Sequence, residues 1–198
     1  MDLTLYTNDE YAQYQTDSLI ERMGKLRGVS FEEMKAQIGE RREKRKLSNG
    51  GKTPSLSSIF ESFGISTEEH VHWREEIFEP EKFIKEDPRL KKTLEAFSRR
   101  FVLGVVSNNP VLVARKTLAA LGVNDFFPII IGQDTCMCAK PDKRPFLKFV
   151  ELSGCPPETC VSIGDRYEID LESPLELGMG GILVDGVEDV YALTFSEL

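Results

Sequence analysis

The chain has 198 residues, 40% hydrophobic and 29% charged, with 25 basic and 33 acidic side chains and a net charge of −8. That length fits one domain, or a core domain with a modest insertion, and buries a sizeable core without disulfides or structural metal. The acidic balance argues against nucleic acid as the main partner, no apolar run approaches the ~18 residues of a membrane span, and no secretory leader is visible, so a cytoplasmic location is expected.

The chain opens on Met1-Asp2-Leu3-Thr4-Leu5-Tyr6. Tyr11, Tyr14, Leu19, Met23 and Leu26 then recur at roughly helical spacing up to Gly28. Ser30 with Glu33 makes a capping box for a helix running through the basic stretch Arg41 to Lys46. Glu40 and Glu43 interrupt that stretch, which reads as a solvated helix face. Asn49-Gly50-Gly51 is a loop; Thr53 as N-cap and Pro54 at the first helical position predict a helix ending near Gly64. Ser66 with Glu69 opens a further helix. His70 and His72, two apart on it, turn to different faces, so they are packing or solvated residues and not a shared ligand pair. Residues 8–86 therefore form a helical module of about four helices.

From Asp87 the pattern changes. Asp87-Pro88 starts a helix, Phe101–Val106 is an apolar strand, and Asn109-Pro110 starts a helix closed by Gly122. Pro128–Ile131 is a second strand, Pro145–Leu152 a helix, Cys160–Ile163 a third strand, Leu171–Leu177 a helix and Gly181–Val184 a fourth strand. Short apolar strands alternating with helices mean an α/β fold, a parallel sheet covered on both faces. The four cysteines, Cys136, Cys138, Cys155 and Cys160, lack zinc-site spacing and read as reduced, partly buried thiols. Gly178-Met179-Gly180-Gly181 precedes its strand, so it serves helix–strand packing and not a dinucleotide.

In such sheets ligands bind at the carboxyl ends of the strands. There the chain places Ser107-Asn108-Asn109, Lys140-Pro141, and Gly164-Asp165 with Asp170 five residues on. A hydroxyl with nearby amides, a lysine and several carboxylates suit a phosphate held beside Mg²⁺: hard oxygens take the ion, and the lysine neutralises oxyanion charge.

These residues resemble the haloacid dehalogenase (HAD) superfamily of phosphatases in order and local context. Ser107 matches its second motif, Lys140-Pro141 its third, and Gly164-Asp165 with Asp170 its fourth; Asp2-Leu3-Thr4-Leu5 fits the second half of its first motif, D-x-D-x-T. The resemblance implies a Rossmann-like core of residues 1–7 and 87–198 with a helical cap, 8–86, inserted. It implies a Mg²⁺-dependent phosphatase of small phosphorylated metabolites working through an aspartyl-phosphate. Asp2 would be the general acid and base and touch the metal, and Thr4, Ser107 and Asn108 would bind phosphate. Lys140 would stabilise charge on nucleophile and phosphate, and Asp165 and Asp170 would ligate Mg²⁺. A strand-end lysine is expected to be replaceable without unfolding the protein. The leaving-group acid favours phosphoester over carbon–halogen cleavage.

The match also departs from the family. Met1 occupies the x of D-x-D, so the nucleophilic aspartate would stand just before it, together with the apolar strand that leads into it. The expectation is that Met1 is an internal methionine of a longer polypeptide. The alternative is a catalytically silent relative that binds a phosphorylated ligand or a protein partner; a receiver-like signalling domain is disfavoured by the long helical module after Asp2.

Overall fold

The computed structural model describes residues 1–48, 50–51 and 53–196. At the start of the chain Leu5 N–H donates to the Met1 carbonyl at 2.8 Å, and Asp2 and Tyr6 form an isolated parallel bridge. Helix α1 (Asp9–Arg27) begins where Asn8 Oδ1 accepts from Tyr11 N–H at 2.8 Å and stops at Gly28, whose φ of 68° is left-handed. Helix α2 (Phe31–Ser48) is capped by Ser30, whose hydroxyl accepts from Glu33 N–H at 3.2 Å. Of the predicted loop, Gly50 and Gly51 form a turn, and Asn49 lies outside the described residues.

Helix α3 (Leu56–Ser62) starts later than the sequence predicts. Its N-cap is Ser55, not Thr53, because the Ser55 hydroxyl accepts from Ser58 N–H at 3.2 Å and leaves Pro54 outside the helix. Helix α4 (Thr67–Ile77) is capped as expected by Ser66, which accepts from Glu69 N–H at 3.1 Å. The four helices close around Met23, Met34, Ile59, Phe60 and Trp73, and Val113 from the second half of the chain joins this cluster. The module is thereby packed onto the rest of the chain by apolar burial.

Helix α5 (Pro88–Ser98) leads to strand β1 (Gly104–Val106), helix α6 (Val111–Ala120), strand β2 (Ile129–Ile131) and the single turn α7 (Gln133–Cys136). Helix α8 (Arg144–Ser153), strand β3 (Val161–Gly164), a π-helical turn at Tyr167–Leu171, α9 (Glu172–Glu176), strand β4 (Gly180–Leu183) and α10 (Val187–Ala192) complete the order. The apolar run at 101–106 is strand only in its second half. Phe101 N–H still donates to the Phe97 carbonyl at 2.9 Å, so that residue extends the end of α5.

β1 pairs in parallel with β2, Val105 opposite Ile130; β3 pairs in parallel with β4, Ile163 opposite Ile182. Among the described residues these are two separate two-stranded sheets. A cavity of about 430 Å³ lies between them, walled by Val105, Val106, Phe146, Phe149, Val161 and Ile163 and reaching Lys140 and Asp170. Leu90, Leu94, Leu118, Val105 and Ile130 form the main core, continued by Leu5, Tyr6 and Tyr11.

Phe149 rests directly on the backbone of β1. A Cβ at Gly104 would stand 2.1 Å from its ring, so only glycine fits there. Gly104→Ala is expected to lower stability by about 1–3 kcal/mol, as overpacking does. Urea unfolding measures this, and a change under about 0.5 kcal/mol would show that the ring moves aside freely.

Candidate active site

The carboxyl ends of β1 and β3 bring the motif residues together. Lys140, 6% exposed, is the centre of the arrangement. Its Nζ donates to Asp170 Oδ1 at 2.6 Å and to the Val106 carbonyl at the end of β1 at 2.8 Å. The Asn108 side chain clamps the lysine's backbone: Lys140 N–H donates to Asn108 Oδ1 at 2.6 Å, and Asn108 Nδ2 donates to the Lys140 carbonyl at 3.2 Å. With both ends of its amide engaged, Asn108 positions Lys140. Ser107 is buried, and its Oγ accepts from Asn109 N–H at 3.1 Å.

Asp170 is held from both sides. Oδ1 accepts from Lys140 and Oδ2 from Arg166 N–H at 3.2 Å. Gly164 makes room for it, since a Cβ there would meet the Asp170 Cβ at 2.4 Å. Burial raises the Asp170 pKa, but the Lys140 ammonium, with smaller contributions from the Met1 amino group and Arg166, holds it below the usual carboxylate range. A depressed folded pKa contributes stability that is present above the unfolded value, ~3.9, and is lost as pH falls through the folded one. Stability in urea is therefore expected to fall below about pH 4 more steeply in the unmodified protein than in Asp170→Asn; parallel pH profiles would contradict the pair.

Asp2 is gripped by two donors, the Tyr6 hydroxyl at Oδ1 and Asn109 Nδ2 at Oδ2, the latter at 3.1 Å. Burial, and then Asp2 itself, drive the Tyr6 pKa far above the ordinary phenol value, so Tyr6 remains a donor. Thr4 Oγ1 donates to Asp165 Oδ1 at 3.3 Å, tying the first turn to the end of β3. The Met1 α-amino group is buried at the same point: burial and then Lys140 lower its pKa, while Asp2, Asp170 and Asp165 raise it.

Among the described residues no group of three or more His, Cys, Asp or Glu side chains forms a ready metal cage. Mg²⁺ does not need one, since it binds through one or two carboxylates, waters and substrate phosphate. The donor set fits that mode at Asp165, while Asp2 and Asp170 already have both oxygens engaged.

The lysine departs from the sequence expectation in one respect. It lies in a buried ion pair, with side-chain exposures of 8% for Lys140 and 6% for Asp170, so its removal leaves a buried carboxylate unpaired and costs stability as well as charge stabilisation. Sequence reasoning also passed over Tyr6 and Asn109, which hold Asp2, and a buried polar cluster of Ser57, His70, Arg74 and Gln133. His70 is fully buried in that cluster, whereas His72 is exposed and faces Glu76 at 3.0 Å.

The model of the haloacid dehalogenase-like hydrolase family matches residues 4–184. A phosphoglycolate phosphatase of Aquifex aeolicus is 36% identical over 100 residues, 50% of this chain and 46% of that protein. A glyceraldehyde 3-phosphate phosphatase of Methanothermobacter thermautotrophicus is 32% identical over 88 residues, 44% of this chain and 39% of that protein. The matched segments thus span less than half the length of these relatives. In fold, the chain resembles a HAD phosphatase from Thermococcus onnurineus, with a TM-score of 0.63 and 22% identity over 93% of this chain and 83% of that one. It also resembles the magnesium-bound HAD hydrolase YfnB of Bacillus subtilis, with a TM-score of 0.56 and 17% identity over 92% and 91%. With most of its length matched, and its Rossmann-like α/β core shared with these structures, the chain belongs to the haloacid dehalogenase-like hydrolase family.

Proposed function

We propose that the protein is a Mg²⁺-dependent phosphatase of small phosphorylated metabolites working through an aspartyl-phosphate. The observation that carries this reading is the position of Lys140, whose ammonium joins the end of β1 to Asp170 beside Ser107, Asp165 and Asp2. Bound there, Mg²⁺ would offset charge on the phosphoryl oxygens, with Asp165 holding it. Ser107 and Thr4 bind the phosphoryl group, and Lys140 stabilises the negative charge that grows in transfer. Asp2 donates its proton to the leaving oxygen and afterwards takes one from the attacking water. Helices α1–α4, residues 8–86, act as the cap that sets substrate choice. The relatives' activities, on phosphoglycolate and on glyceraldehyde 3-phosphate, support small organic phosphates as the substrate class.

On this reading the nucleophile is a further carboxylate, carried at the end of a strand that would seat between β1 and β3. None of the carboxylates described here serves in its stead: Asp2 and Asp170 have both oxygens engaged, and Asp165 accepts from Thr4. That engagement also favours the second reading, a silent relative that binds a phosphorylated ligand without turning it over. An assay on p-nitrophenyl phosphate, using the chain with that strand in place, separates the two. Turnover abolished by EDTA and restored by Mg²⁺ is expected; full activity in EDTA would remove the metal from the account, and no turnover at all would leave the binder.

A further inference from the structure

The carboxylate oxygens at the strand ends are not equally engaged. Asp2 and Asp170 accept at both oxygens, and Asp165 Oδ1 accepts from Thr4. Asp165 Oδ2 accepts no hydrogen bond among the described residues. What stands beside it is the Arg166 guanidinium, with Nε 3.6 Å from Asp165 Oδ2 and 3.9 Å from Asp170 Oδ2. Both separations are too long for hydrogen bonds, so the contact is charge against charge.

That guanidinium is loosely held. The Arg166 side chain is 55% exposed, against 11% for Asp165. Its backbone is fixed at the head of the π-helical turn, where its N–H donates to Asp170 Oδ2 at 3.2 Å. Its charged head is not fixed, and an exposed pair at this distance is given up for water at little cost. Lys140 differs: at 8% exposure, and bonded to Asp170 and to the Val106 carbonyl, it stays in place. Mg²⁺ binds a carboxylate oxygen at ~2.1 Å, well inside the distance at which Arg166 Nε stands from Asp165 Oδ2. Two cations at one oxygen repel, so the ion and the guanidinium compete for that place.

We propose that Arg166 is the exchangeable counter-ion of the metal site. It compensates Asp165 and Asp170, swings into solvent when a divalent cation takes Asp165 Oδ2, and thereby sets how tightly the cation is held. The inference rests on the phosphatase reading above, since it needs Mg²⁺ at Asp165, and it adds a residue that opposes the ion instead of ligating it. Arginine suits the part because its permanent charge is spread over a weakly hydrated fork on a long stem, which spans two carboxylates and still reaches water.

The test is divalent-cation binding to the chain Met1–Leu198, read as loss of the electron paramagnetic resonance signal of free Mn²⁺ and its recovery on adding Mg²⁺. Mn²⁺ takes the same oxygen ligands. Arg166→Gln is expected to tighten binding about three- to fivefold, the reach of one exposed charge pair, and Arg166→Lys, which keeps the charge, to stay near the unmodified chain. Arg99→Gln removes the same charge from a surface pair with Glu95 and should also change nothing. In ~1 M KCl the gain in Arg166→Gln should shrink, because exposed charges are screened. Asp165→Asn should abolish Mg²⁺-displaceable binding with either residue at position 166. Unchanged or weaker binding in Arg166→Gln, or equal tightening in Arg99→Gln, would overturn the inference and leave the metal site standing. Displaceable binding that survives Asp165→Asn would overturn it too, by placing the ion elsewhere. No Mg²⁺-displaceable Mn²⁺ in any of the chains would remove both the role of Arg166 and the metal from the phosphatase reading.

Discussion

Asp170→Asn is expected to destabilise the protein by about 3–5 kcal/mol, the effect of breaking a buried ion pair by removing one partner. The ammonium of Lys140 would keep its bond to the Val106 carbonyl but lose the only negative charge within 2.6 Å, and Arg166 N–H would lose its carboxylate acceptor. For a chain of this length that loss lowers the melting temperature by roughly 10 °C. Replacing the pair together, as Lys140→Met with Asp170→Leu, should recover most of the stability, because a buried pair exchanged for apolar side chains is often neutral. The double variant should nonetheless have lost phosphoryl-transfer function, by about 10²–10³ or more in turnover where turnover is measured. Stability and charge stabilisation are thus separable at this site only by changing both residues. Calorimetric unfolding of the three variants checks it; an Asp170→Asn variant within about 1 kcal/mol of the parent would mean that the pair is solvated and that Lys140 is free for other partners.

The strand-end chemistry was legible because its signals are local. Short apolar runs such as Ile129–Ile131 and Gly104–Val106 are followed within a few residues by Ser107, Lys140 or Asp165, and a parallel sheet puts those followers on one edge. The caps at Asn8, Ser30, Ser66 and Asp87 act over three residues, and all but the first were named in advance. Where two candidates compete within three residues, as Thr53 and Ser55 do, only the hydrogen bond itself decides. α7 and α10 were missed because four or six residues are too few to show a period.

What sequence spacing could not show are contacts made across long separations. Arg74 meets Gln133 over 59 residues, and Asn109 meets Asp2 over 107. Lys140 reads as a strand-end lysine that stabilises charge and is replaceable without unfolding, because nothing in Ala139-Lys140-Pro141 announces burial. His70 and His72 fall on different faces as their spacing predicts, but the spacing does not say which of them α4 turns into the interior and which to solvent. Asn108 shows the same limit in reverse: its side chain type suits phosphate, and the fold turns it onto the backbone of Lys140.

The central proposal is that a strand seated between β1 and β3 would supply both the nucleophile and a middle strand to the sheet. β1 and β3 flank a cavity with apolar walls, and each has one strand neighbour among the described residues. An inserted strand would bury apolar side chains there and pair its own N–H and C=O groups with both edges. Its last residue, immediately before Met1, would stand about two residue rises, ~6.6 Å, from Asp2. From that point a carboxylate reaches the phosphorus, while Asp2 reaches the leaving oxygen. The most direct measurement compares, under identical Mg²⁺, the chain Met1–Leu198, the same chain preceded by an apolar strand ending in Asp, and that longer chain with the terminal Asp replaced by Asn. Both longer chains should melt ~5 °C or more above the first, since the strand fills the cavity whichever residue ends it. Only the Asp version should hydrolyse p-nitrophenyl phosphate. Equal turnover in all three, or in the Asn version, would place the nucleophile elsewhere and contradict the assignment of Asp2.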